Sequence, residues 1–140
     1  MTTTMTAETP SRGLHYGLWA VQALAAVAFL GAGMMKSTKP LAELAANMAW
    51  VPHFPAVAVR AIGVAEVLGA LGLVLPSALR VMPRLTPLAA AGLVALMLGA
   101  AGTHVVLGEA GMAMPSLVLG AMAALVTWGR GVKAPIAARG

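Results

Sequence analysis

Charge is scarce in this chain. Only 9% of its 140 residues are charged while 60% are hydrophobic, against about 25% charged in an ordinary soluble domain. A soluble protein of this size needs a charged surface, and this chain cannot supply one. Cysteine is absent altogether, which excludes disulfides, thiol catalysis and thiolate metal sites and leaves the redox compartment undetermined. Aromatics reach only 4%. The net charge of +5 rests on scattered Lys and Arg without interleaved aromatics, which argues against nucleic acid as a partner. Those basic residues instead set orientation and meet anionic lipid headgroups.

What is present is long apolar runs. Four have spanning length, which predicts an all-α integral membrane four-helix bundle in one domain over residues 14–130. Residues 1–13 read as a polar, Thr-rich disordered tail and residues 131–140 as a basic C-terminal tail. The apolar run after Arg12 is too long for a secretory h-region and lacks a clean A-x-A site, so it reads as a retained anchor.

The spans are expected at about 14–35, 56–75, 85–107 and 112–128. The first would rise about 33 Å as a helix, enough for the hydrocarbon core. Tyr16 and Trp19 suit its interfacial end, and Gln22 is the one polar side chain in its middle. The fourth is short, with Pro115 in its first turn, where proline costs least. Pro76 is expected to end the second. Between the first two, Leu41, Leu44, Met48 and Val51 recur at spacings of three and four. That predicts a short amphipathic helix between Pro40 and Pro52, lying at the interface with Trp50 as its anchor. Arg12, Arg80, Arg84, Arg130, Lys133 and Arg139 fall on one side, against Lys36 and Lys39 on the other with Arg60 a turn inside. The imbalance predicts a plasma (inner) membrane protein with both termini cytoplasmic.

Glu66 stands out. It sits mid-span in a run whose only other charge is Arg60, and an ionisable residue at such depth faces the bundle interior and marks a functional site by default. Gly63, Glu66, Gly69, Ala70 and Leu73 share one helical face, the face suited to close packing. The structural alternative is a carboxyl hydrogen-bonded to Gln22, whose expected depth is similar, or to a backbone carbonyl. The chemical one is general acid or base work, with His104 as partner. Lys36 at a span end suits snorkelling to headgroups. Arg60, six residues from Glu66, points to another face and toward Glu109 or Glu43. Together Lys36, His53, Arg60, Glu66, His104 and Glu109 occupy the outer half. This asymmetry points to an outward-opening polar pocket lidded by the Pro40–Pro52 helix, with Gln22 deeper. Methionines such as Met48, Met97 and Met112 fill the core or line an adaptable lipophilic cavity. A His-rich metal site is not expected; mixed ligation by Glu66, His104 and His53 would need the loop folded over the bundle mouth.

The segments GAGMMK, GVAEVLGALGLVLP and PLAAAGLVALMLGA, with His104 near the third span's end, resemble the DoxX-like family of small bacterial membrane proteins. The resemblance runs from about Leu14 to Arg130. It implies a four-helix membrane bundle, with Lys36, Glu66 and His104 at the family's usual polar points, and a redox association for some members through a quinone or a partner subunit. No haem, flavin or cluster motif is present. Three functions stay open: a quinone- or lipophile-binding component of membrane redox metabolism, a membrane isomerase or hydrolase using Glu66 and His104 on a lipophilic substrate, and a non-catalytic assembly or transport module. The bilayer is the one partner that composition requires; a redox subunit and a homo-oligomer are further candidates.

Overall fold

The computed structural model describes residues 11–140, so the expected tail before Ser11 lies outside the described residues. Five α-helices follow in order: α1 (Arg12–Thr38), α2 (Leu41–Asn47), α3 (Ala56–Leu79), α4 (Leu85–Val106) and α5 (Ala113–Trp128). Short 3-10 turns at Val51–His53 and Ala110–Met112 lead into α3 and α5, and a π-turn at Gly129–Lys133 extends α5. There is no strand among the described residues. Counting the turns that extend α5, four helices are long and apolar enough to cross a bilayer. Leu24, Val27, Val57, Leu68, Leu88 and Leu98 stand exposed on their outer faces. Such a surface fits lipid as the solvent, where helices satisfy their own backbone groups.

Helix boundaries have local causes. Ser11 caps α1, its hydroxyl accepting from Leu14 N at 3.1 Å, so the helix begins two residues before the expected span. Pro76 does not end the second span: α3 continues to Leu79. The proline removes a single backbone bond, to the carbonyl of Gly72, near the helix end, and membrane helices tolerate such a loss. The helix stops instead at Arg80, which adopts a left-handed conformation at φ 55°. Just inside that turn Ser77 donates to Thr86 Oγ1 at 2.7 Å, tying α3 to α4.

Packing is tightest where side chains are missing. A Cβ on Gly33 would fall 2.7 Å from the Gly63 carbonyl oxygen and 2.8 Å from Val67 N; one on Gly63 would fall 2.8 Å from Ser37 N. The α1 and α3 backbones therefore meet directly at this crossing, as small residues permit in membranes. Further along, Phe29, Leu73, Leu93, Met97 and Val126 fill a common core between all four spans.

The segment between α1 and α3 departs from expectation. Its helix has 7 residues, not about a dozen, because the chain turns extended at Met48 and re-enters a 3-10 turn that accommodates Pro52. Leu44 and Val51 are buried with Val59 of α3. The segment thus packs onto the bundle end.

Candidate functional site

The Gly33–Gly63 crossing sets the register of α1 on α3 and carries Lys36 over Glu66. Glu66 lies ten residues into α3, so Lys36, near the end of α1, reaches inward along its four-carbon stem. Its Nζ donates to Glu66 Oε1 at 2.8 Å and to Oε2 at 3.0 Å. The side chains are 12% and 2% exposed respectively. Arg60 fixes the other end of the lysine: its Nη1 donates to the Lys36 carbonyl at 2.9 Å. That contact satisfies an otherwise open carbonyl in the last turn of α1.

These positions correct three expectations. Lys36 does not snorkel to headgroups but turns inward, because the glycine crossing brings a carboxylate within its reach. Glu66 takes its hydrogen bonds from Lys36 and none from Gln22. Arg60 meets neither Glu109 nor Glu43; those residues contact His104 and Lys39 instead.

The pair opens onto a cavity of about 770 Å³ lined by all four spans and by the segment from Ala45 to Trp50 with Phe54. Ala32, Ile62, Leu96, Met97, Ala100 and Leu119 supply apolar wall; the polar groups include Lys36, Glu66, Thr103, His104, Glu109 and Ser116, with Asn47 from the connecting segment. His104 Nδ1 lies 3.4 Å from Glu109 Oε2. Trp50 packs edge-on against Phe54 at 5.6 Å between ring centres, both beside the cavity, so Trp50 is more than a headgroup anchor. Four of the seven residues singled out from sequence therefore share one cavity: Lys36, Glu66, His104 and Glu109. His53 is exposed on its 3-10 turn, and neither it nor Arg60 lines the cavity. The described residues hold no cluster of three potential metal ligands.

Charge on the wall is paired. Lys36 and Glu66 neutralise each other, which lowers the cost of holding either in an apolar setting. An ammonium has three N–H donors. Glu66 takes two, and no third partner for Lys36 Nζ occurs among the described residues. Each carboxylate oxygen of Glu66 accepts one of those N–H groups.

The DoxX-like family profile matches residues 20–126, more than three quarters of the chain. The chain belongs to the DoxX-like family. No curated protein and no solved structure matches it significantly. The DoxX-like match covers every charged residue of the cavity and ends before Arg130.

Arg130 is a buried charged residue that sequence reasoning missed, alongside the buried hydroxyls of Ser77 and Thr86. Placed in sequence at the edge of a basic tail, it is 3% exposed and lies at the opposite end of the bundle from the cavity. Its Nε donates to Gln22 Oε1 at 2.7 Å, its Nη1 to the Ala134 carbonyl at 3.0 Å and its Nη2 to the His15 carbonyl at 3.2 Å. The guanidinium lies over the Trp19 ring at 5.4 Å. Gln22 in turn donates to the Leu73 carbonyl at 2.6 Å, which places it far from Glu66. Two signals pointed here: a glutamine mid-span needs a partner, and α5 at 16 residues is short enough to draw the next residues inward.

Proposed function

We propose that this DoxX-like protein binds a neutral lipophile with a hydrogen-bond-accepting head, of the quinone class, as a component of membrane redox metabolism. The observation that carries this reading is the cavity: apolar walls surround a self-neutralised Lys36–Glu66 pair that retains one N–H for an acceptor. The paired charge favours a neutral head over a carboxylate or an amine. Trp50 and Phe54 offer ring faces to an aromatic or quinonoid body. Because the Glu66 carboxylate is already paired with Lys36, the arrangement fits binding better than general acid–base turnover by that group.

Both termini are proposed to lie in the cytoplasm of a plasma-membrane protein, from the excess of Lys and Arg at that end of the bundle. A single cysteine placed at Gly140 is then expected to react with an impermeant maleimide only after cells are opened; labelling in intact cells contradicts this orientation.

The ligand reading is tested by purifying the protein in mild detergent and identifying the extracted lipophile by mass spectrometry. A quinone near one equivalent per chain is expected, with several-fold less from the His104→Ala variant. Extraction of structural phospholipid alone, with no binding of added quinone, contradicts it and leaves an assembly role.

A further inference from the structure

Between α3 and α4 the packing keeps a regular register and then stops. Ser77 Oγ meets Thr86 Oγ1 at 2.7 Å. Moving back along α3, a Cβ on Gly72 would fall 2.6 Å from Ala89 Cβ, and one on Gly69 would fall 2.6 Å from Leu93 Cδ2. Small residues let membrane helices touch in this way. Continued at the same spacing, the register would set Glu66 against Leu96 and Ile62 against Ala100. All four line the cavity instead, so this side of it is the gap that opens between α3 and α4 beyond Leu93.

The gap reaches the outside of the bundle. Ala95 and Gly99 line the cavity, yet both are exposed and share the outward arc of α4 with the exposed Leu88 and Leu98. A Cβ on Gly99 would meet nothing within 4 Å. Ala95 stands at the middle of a helix of 22 residues, about 33 Å long, so this edge lies at the depth of the hydrocarbon core. The α1–α5 side differs. There the lining residues at depth, Ala32 and Leu119, are half-buried, and exposure begins at Pro115 near the outer end.

We infer that the cavity opens sideways into the bilayer through a slot between α3 and α4, and that its ligand carries a long apolar tail lying in that slot. The tail rests on the quinone-class reading and adds to it. Lys36 holds the head inside, while a tail passing Ala95 and Gly99 exchanges lipid for apolar wall and meets no water on the way.

The chain has no cysteine, so a nitroxide on Ile62→Cys reports the slot alone. In lipid vesicles its collisions with oxygen, which concentrates in the bilayer, are expected to exceed those with a water-soluble nickel chelate, as on the lipid-facing Leu98→Cys. Collisions dominated by the chelate overturn the slot. Ligand binding in mild detergent tests the tail. Gly99→Trp is expected to melt like the wild type and to bind a long-tailed quinone at least about tenfold more weakly, with a tailless quinone bound unchanged. Gly102→Trp adds the same bulk in open space off the cavity wall and is expected to bind both like the wild type. Ala95→Phe replaces Gly99→Trp should that variant fail to fold. Long-tailed quinone bound by the blocked variant as tightly as by the wild type overturns the tail, and so does an equal loss of both quinones. A wild type that takes neither quinone contradicts the quinone reading instead, and the nitroxide still decides the slot.

Discussion

Glu66 was conspicuous because it stands alone among apolar neighbours, and its depth followed from counting residues along the run. Its partner was not legible. Lys36 occupies a helix end, where the long side chain has a free route to headgroups, and only the crossing of α1 on α3 decides that it turns inward. Gln22, matched to Glu66 by estimated depth, is claimed by Arg130 instead. At this scale the energetics separate structure from function. Removing one partner of a buried ion pair leaves an uncompensated charge, whereas replacing both with apolar groups is often neutral or stabilising. Lys36→Met and Glu66→Leu are therefore each expected to lose about 3–5 kcal/mol, and the double variant to lose little or gain about 1–4 kcal/mol. Denaturant unfolding in detergent checks this; a double variant as unstable as the singles would mean the pair itself holds the bundle.

At the scale of elements, apolar run length located all four spans, with errors confined to their ends. Those errors share a cause: the polar residue or proline that looks like a boundary is absorbed by a tertiary partner. Pro76 stays helical, and Arg130 is drawn inward to Gln22 and His15. The loop before α3 was legible as amphipathic, but its break at Met48 comes from packing Leu44 and Val51 together on Val59. The α1–α3 crossing sets the site, and glycines of the same composition play unequal parts in it. Gly33→Ala drives a methyl into the Gly63 backbone and is expected to destabilise by about 1–3 kcal/mol, displacing Lys36 from Glu66. Gly92→Ala meets open space on α4 and is expected to be neutral or to gain about 0.5–1 kcal/mol from helix propensity. Equal effects of the two substitutions on melting would contradict a direct backbone crossing.

For the whole molecule, composition alone dictated a membrane bundle, since a chain with 9% charge has no other way to be solvated. The division of labour between its two ends was only half visible. The cavity end showed itself through clustered outer-half charges, while the Arg130 end looked like an ordinary basic flank. In the assembled bundle one end presents a neutral polar pair to an apolar cavity, and the other straps the chain terminus down. The central claim is that the Lys36–Glu66 pair is retained for a ligand's head and not for the fold. The most direct test is the quinone content and quinone affinity of the Lys36→Met/Glu66→Leu double variant, measured on protein shown to melt like the wild type. A folded variant that has lost the quinone, with affinity down at least about tenfold (about 1.4 kcal/mol), is the predicted result. A folded variant that still binds quinone like the wild type would contradict it.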